Sequence, residues 1–366
     1  MLSDQAPCRG TPLRARSARA GWAQGVLLAV SLLPAGPSVA PGEDGWEILY
    51  TSPNLSNHLV SVECSPGDPT TNCPCSTADV SLVVYADHGE VTANVLRTNV
   101  YVNAIGYKPF QDAFPHGDPV KLDVFRYRAD LRLPVVPLPS VTQTQNAQSA
   151  HLMIQLWDGS NRLWQSNKVA LEATLFWTLN PWQTNELGKV FAYTSTTGPL
   201  QIVDTGLTLP VDTNWHRLEF VADFAHARFV SARADGVRAD LSTVAVARVA
   251  HTNWGNELLY QITQESCSTY PNPGYTNIFT WTMQYRNLEF SRLRFRTGWA
   301  EAPLGGEQMK LEWPSEPWMK YQVWTSQDLR TWANLSGALV ATGLTQDCCV
   351  SATNELWMFY RIHVVP

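Results

Sequence analysis

The chain has 366 residues with 26 Lys and Arg against 32 Asp and Glu, a formal charge of −6, and only 16% charged side chains. An acidic chain lacks the surplus of cations that phosphate backbones demand, which excludes nucleic acid as a partner. Its length suffices for one large or two unequal domains with a real core, so that disulfides are optional supports.

Residues 1–40 read as a secretory signal. Arg9, Arg14, Arg16 and Arg19 precede an apolar run from Val26 to Leu33, and Ser38-Val39-Ala40 offers small residues for cleavage. Counted from Ala20 to Gly36, the apolar stretch is broken by Gln24 and Pro34 and falls short of the roughly 20 residues that cross a bilayer. Cleavage rather than anchoring is expected, followed by a secreted, periplasmic or cell-surface location in a bacterium with no transmembrane span. Removal of the signal leaves 22 basic and 31 acidic side chains, a formal charge of −9.

Six cysteines remain beyond residue 40: Cys64, Cys73, Cys75, Cys267, Cys348 and Cys349. In an oxidising compartment they are candidates for up to about three disulfides, whose pairing spacing alone does not give. Metal binding is the weaker alternative, because neither Cys73-Pro74-Cys75 nor Cys348-Cys349 has the two-residue gap of a zinc knuckle.

Every long pattern in the chain has period two, the mark of strands. From Val120 to Leu133 the alternation runs in two phases, Val120, Leu122 and Val124 and then Phe125, Tyr127, Ala129, Leu131 and Leu133, which predicts a β-bulge near Val124. Pro134, Pro137 and Pro139 end the strand. Alternation from His151 to Trp157, with a turn at Asp158-Gly159, predicts a hairpin returning through Arg162 to Trp164. A second hairpin is clearer: His216, Leu218, Phe220, Ala222 and Phe224 form one apolar face, the chain reverses at Ala225–Ala227, and Phe229–Ala234 runs back. Phe279, Trp281, Met283 and Tyr285 lead to Leu288 and Phe290, then to Leu293 and Phe295 after a slipped residue. So many strands with two unlike faces predict an all-β sandwich of two antiparallel sheets over residues 41–296. The Gly- and Pro-rich stretch 297–307 reads as a linker, and 308–366 as a smaller β-unit.

The run Asp212-Thr213-Asn214-Trp215-His216-Arg217-Leu218-Glu219-Phe220, followed by Phe229-Val230-Ser231-Ala232-Arg233-Ala234-Asp235-Gly236-Val237, resembles a signature of laminin-G-like and concanavalin-A-like jelly rolls. That resemblance implies two curved antiparallel sheets. Near the end, Tyr321-Gln322-Val323-Trp324-Thr325-Ser326-Gln327-Asp328-Leu329-Arg330-Thr331-Trp332 and Phe359-Tyr360-Arg361-Ile362 are similar to a small C-terminal β-module that recurs in secreted bacterial proteins. The module brings no catalytic residues, and Cys348-Cys349 stands where it usually has small polar residues.

Jelly-roll glycoside hydrolases set their carboxylates along one strand as Glu-x-Asp-x-x-Glu, a pattern absent here; Glu257, Glu265, Glu289 and Glu301 stand alone. There is likewise no Gly-x-Ser-x-Gly elbow, no His-Glu-x-x-His, no phosphate loop and no dinucleotide fingerprint. Polysaccharide lyases on this scaffold need only a neutralising Arg or Gln, a His and a Tyr converging from separate strands. Arg126 and Arg128, the pair His151 and Gln155 sharing a face, and Gln284 with Arg286 have the right types. Sugar binding asks for exposed rings and amides, which the stretches Asn253-Trp254-Gly255-Asn256, Asn180–Asn185 and Tyr270–Tyr275 provide. Trp254 and Trp182 are the leading ligand candidates, with Asn253, Asn256, Arg128 and Gln284. Trp157, Trp177, Trp215 and Trp281, at strand positions, are expected to pack. No acidic calcium-ligand pair is visible, although a site built from backbone carbonyls stays open. The expectation is a lectin-like, carbohydrate-binding or adhesive protein, with a lyase-type enzyme on the same scaffold as the alternative.

Overall fold

The structure is a computed structural model in which residues 45–66, 80–95, 100–110, 122–136, 148–158, 169–179, 185–195, 201–248, 258–268, 279–294, 308–351 and 359–366 are described. Those residues form strands and turns, with no helix among them. In chain order the strands are β1 Trp46–Ser52, β2 Leu59–Pro66, β3 Val80–Val84, β4 Gly89–Val95, β5 Val100–Phe110, β6 Val124–Arg132, β7 Gln148–Asp158, β8 Val169–Thr178, β9 Lys189–Thr194, β10 Gln201–Thr208, β11 His216–Asp223, β12 Arg228–Ala234, β13 Val237–Asp240, β14 Ala247–Arg248, β15 Leu258–Ser268 and β16 Phe279–Leu293. Six more follow: β17 Gln308–Pro314, β18 Lys320–Ser326, β19 Ala333–Asn334, β20 Leu339–Val340, β21 Thr345–Ser351 and β22 Phe359–Val365.

The first sixteen strands make a jelly-roll sandwich of two eight-stranded antiparallel sheets. One has the order β13-β12-β11-β6-β16-β4-β3 with β1 also on β16, and the other β10-β9-β8-β7-β15-β5-β2 with β14 also on β8. Between them lies one core. Phe125, Tyr127, Ala129 and Leu131 of β6, Leu218, Phe220 and Ala222 of β11, and Trp281, Met283, Tyr285, Leu288 and Phe290 of β16 meet Ala150, Leu152, Ile154 and Leu156 of β7 and Leu175 and Trp177 of β8. Period-two alternation puts these residues inward and their neighbours outward. Two tyrosines of the first sheet reach across this core to β15: Tyr127 meets the Gln264 amide, and Tyr285 Oη donates to the Glu265 carbonyl at 2.6 Å.

The expected bulge near Val124 is not there. β6 starts at Val124 and pairs with β11 in unbroken register from Val124 to Leu131. The irregularity sits opposite, in β16 between Arg286 and Glu289, where Asn287 takes a left-handed φ of 51° and its N–H donates to the Pro53 carbonyl. Tyr285 and Leu288 therefore both face the core although they are three positions apart, an odd spacing. The sequence pattern places that slip after Phe290, and Leu293 instead faces outward.

Val124 and Leu293 are outward and apolar because something packs there. Together with Trp46, Val221 and Val230 they cover one region of the first sheet's outer face, and Leu311, Trp313, Met319, Tyr321, Val323, Ala341 and Val350 from the C-terminal strands close over it. A bulge in β12 helps: Val221 pairs with Ser231 and Ala222 with Phe229, so Val230 is the extra residue. Val230 and Ser231 then both look outward, and Ser231 Oγ donates to Glu316 at 2.8 Å. Arg238 also contacts Glu316 at 3.0 Å. At Gly45, with φ of 78°, an added Cβ would run into Pro314, so the close approach requires glycine. The C-terminal strands form a β17-β21 ribbon and a four-stranded sheet in which β18 is flanked by β19, β20 and β22.

The β11-β12 hairpin matches its expectation, with Ala227 in the turn at φ of 51°. β7 does return antiparallel, but its partner is Val169–Thr178 rather than a strand through Arg162 to Trp164, and the connection lies outside the described residues. So do the linker stretch 297–307 and the signal stretch 1–40.

Candidate functional site

The two outer faces of the sandwich differ in chemistry. On the first sheet, beyond the region under the C-terminal strands, outward side chains neutralise one another. Arg126 pairs with Glu289 at 2.9 Å, Arg128 bridges Glu289 and Glu219, and Arg217 pairs with Asp130 at 2.7 Å. Gln284 accepts from Arg132 and donates to Glu90, both at 2.6 Å. Arg128 and Gln284 thus stand on this face with their polar ends held by neighbours. Trp177 and Trp281 are core residues, as expected. Trp215 is not: it precedes β11, half-buried, with the guanidinium groups of Arg132 and Arg286 at 4.5 and 4.1 Å from its ring centre.

The outer face of the second sheet holds a buried polar network. Register aligns its outward residues in rows across β15, β7 and β8: Ser149 and Thr178; then Glu265, His151 and Phe176; then Thr263, Met153 and Thr174; then Gln261, Gln155 and Glu172. His151 and Gln155 share this face, as the alternation predicts. Four-residue spacing separates their rows by about 13 Å of strand rise.

In the first two rows, Ser149 Oγ and His151 Nε2 are 2.8 Å apart, His151 Nδ1 and Glu265 Oε2 are 3.2 Å apart, and Asn103 Nδ2 donates to Glu265 Oε2 at 2.7 Å. His151 and Glu265 are 3% and 4% exposed, so this is a desolvated arrangement whose members satisfy one another. In the last row Glu172 accepts from Gln155 Nε2 at 3.0 Å and from Thr174 Oγ1 at 2.7 Å, and Gln155 Oε1 accepts from Gln261 at 3.1 Å. Burial pushes the Glu172 carboxyl up from its ordinary 4.5; the hydrogen bonds from Gln155 and Thr174 pull it back, and the charge of Glu265 adds to the rise. Beside these polar groups lies an aromatic patch, with Phe176 4.8 Å from Tyr193 and 5.3 Å from Phe191 between ring centres, and His151 5.8 Å from Tyr193.

Against known proteins, no protein-family profile matches the chain, and no curated protein matches it. Solved structures do. An endo-β-1,4-glucuronan lyase from the fungus Trichoderma reesei aligns at 10% identity and TM-score 0.39, over 67% of this chain and 96% of that one. The catalytic domain of an endo-1,3-β-glucanase (laminarinase) from Thermotoga petrophila aligns at 9% identity and TM-score 0.39, over 68% and 98%. An alginate lyase in complex with an alginate trisaccharide aligns at 12% identity and TM-score 0.31, over 60% and 86%.

Trp254, Asn253, Asn256 and Trp182 lie outside the described residues, as do Cys73 and Cys75, and the side chains of Trp157, Cys64 and Cys267. Cys348 departs from the expected disulfide set. It is a free thiol, half-buried against the C-terminal cluster, whereas Cys349, its neighbour on β21, points to the opposite face and is disulfide-bonded. Among the described residues no group of three or more His, Cys, Asp or Glu side chains is arranged to hold a metal ion.

Nothing in the sequence pattern singles out Ser149, Glu172 or Asn103, and Glu265 reads there as a solitary acid. The one available signal is that all four occupy outward phases of strands whose inward phases are apolar.

Proposed function

We propose that the protein binds a carbohydrate chain along the outer face of its second sheet, as an exported, glycan-binding protein. The observation that carries this reading is that one face holds amides and carboxylates, Gln155, Gln261 and Glu172 in one row and Glu265 and Asn103 toward the other end, together with the Phe176, Phe191 and Tyr193 rings. Amides and carboxylates hydrogen-bond sugar hydroxyls, and rings stack on the C–H faces of pyranoses. The outward positions of β7, β8 and β15 with described side chains carry two Glu and no Arg or Lys, which favours a neutral glycan over a polyuronate. In sequence, Trp182 and Trp254 fall between strands of this same sheet, and they belong to the proposal as further contacts.

Retention on a panel of immobilised neutral and uronate-containing polysaccharides tests the reading. A neutral glycan should retain the protein, with Gln155→Ala and Tyr193→Ala each weakening it about tenfold, a loss typical of one good contact. Arg128→Ala, on the opposite sheet, should leave retention unchanged. Failure of the folded protein to bind any member would sink the proposal.

A second reading is a lyase, supported by His151 standing near Tyr193 with Gln155 on the same face. It predicts unsaturated products absorbing in the ultraviolet from a uronate polymer.

A further inference from the structure

We propose that Ser149, His151 and Glu265 form a nucleophile, base and orienting acid, and that this face hydrolyses carboxylic esters carried on its glycan. The inference rests on the glycan-binding reading for the identity of the alcohol, but its chemistry stands on the geometry of three side chains.

The hydrogen-bond directions follow from what each atom is able to do. An ionised Glu265 carboxylate only accepts, and Asn103 Nδ2 already donates to the same Oε2 at 2.7 Å. His151 Nδ1 lies 3.2 Å from that oxygen, and the reaction uses the ring form that carries its proton on this nitrogen. In that neutral form the lone pair is on Nε2, 2.8 Å from Ser149 Oγ, and the Ser149 hydroxyl donates to it. Serine then donates to the base while the carboxylate faces the opposite nitrogen, which is the arrangement that activates a hydroxyl nucleophile.

The backbone beneath favours the same order. Ser149 and His151 are two apart on one strand, so both project to one face, and Glu265 is the direct cross-strand partner of His151. Tyr285 Oη holds the Glu265 carbonyl from inside the sandwich, and Gln264 next to it is held by Tyr127. All three are buried, Ser149 at 9% exposure against 3% for His151 and 4% for Glu265. Thr178, the cross-strand neighbour of Ser149 on β8, brings a second hydroxyl to the same row, about 5 Å away by strand spacing, as a donor toward a developing oxyanion.

The reaction balances without a cofactor. Ser149 Oγ bonds to the ester carbonyl carbon as its proton passes to His151 Nε2. The tetrahedral intermediate expels the sugar oxygen, which takes that proton from Nε2, and the acyl group remains on Ser149. Water then attacks the acyl carbon and gives a proton to His151, which returns it to Ser149 Oγ as the carboxylic acid leaves. Ester and water become acid and alcohol. Because Nε2 is committed to the Ser149 hydroxyl, His151 is better placed for this step than for removing a sugar C–H proton.

Two probes test the intact protein: an alkyl fluorophosphonate read by intact mass and peptide mapping, and 4-nitrophenyl acetate read as turnover. The expected result is one phosphonyl group on Ser149 and ester turnover that falls at least about 100-fold in Ser149→Ala and in His151→Ala. Glu265→Gln should lower turnover and alter its pH profile, since the group across from Nδ1 then bears no charge. Melting temperature of Ser149→Ala verifies its fold. An unlabelled Ser149 in a folded protein, or turnover unchanged in Ser149→Ala, overturns the proposal even if glycan retention persists. Labelling and turnover without retention on any glycan would instead leave the ester chemistry standing and remove the carbohydrate reading.

Discussion

Replacing Tyr285 with Phe removes one oxygen, and its consequence can be worked through from core to site. Tyr285 is fully buried, and its hydroxyl donates to the Glu265 carbonyl at 2.6 Å from the opposite sheet. That carbonyl lies in a central strand, and the Tyr285 bond adds to what strand pairing provides, so the change leaves it under-satisfied rather than orphaned. The cost belongs at the lower end for a buried hydrogen bond, about 1 kcal/mol. In a sandwich of this size that corresponds to a fall in melting temperature of about 2–4 °C. Glu265 projects to the outer face at the same position, so loss of the strut should also loosen its contacts with His151 and Asn103 and lower ester turnover severalfold while 4-nitrophenyl acetate still reaches Ser149. The assay is thermal unfolding beside turnover in one buffer. A Tyr285→Phe protein that melts with the unaltered one and turns over equally fast would refute the idea that the core positions this site.

Two further predictions concern charge. His216 is bonded on both ring nitrogens, Nδ1 to Asp235 at 2.5 Å and Nε2 to Asp212 at 2.9 Å, an arrangement only the imidazolium satisfies. Burial lowers its pKa, but the Asp235 and Asp212 bonds outweigh it and the folded value rises above 6.5. The folded state therefore holds the proton more tightly, and the stabilisation is complete below about 6.5 and lost as pH rises through the folded value. Melting temperature should decline over that range, and the decline should vanish in His216→Gln. Glu316→Ala leaves Arg238 and Ser231 without their partner beneath the C-terminal strands, a loss of about 2–4 kcal/mol after allowing for the partial exposure of Arg238. Limited proteolysis should then cut between the sandwich and the C-terminal strands at protease concentrations that leave the parent intact; equal resistance would contradict the docking described.

Period-two alternation made the sandwich legible, including the β11-β12 hairpin, though not its bulge at Val230, and the shared face of His151 and Gln155. It is ambiguous where one strand serves two cores. Val124 and Leu293 are apolar in the outward phase because the C-terminal strands cover them, and in sequence such residues are indistinguishable from a bulge or a slip. The true irregularity, at Asn287, leaves little trace because an Asn adopts a left-handed conformation at small cost. Trp215 reads as a packing residue, yet it precedes its strand and lies between two guanidinium groups. Ser149 and Glu265 are separated by more than a hundred positions and come together only because β15 pairs beside β7, a neighbour relation that no local spacing encodes.

The most direct measurement is a crystal structure of the protein with an oligosaccharide cut from whichever polysaccharide retains it. Electron density for the sugar over the outward residues of β7, β8 and β15, within hydrogen-bond distance of Gln155 or Glu172, is the predicted result. Sugar bound to the first sheet around Arg128 and Gln284, with the second sheet's face empty, would contradict it.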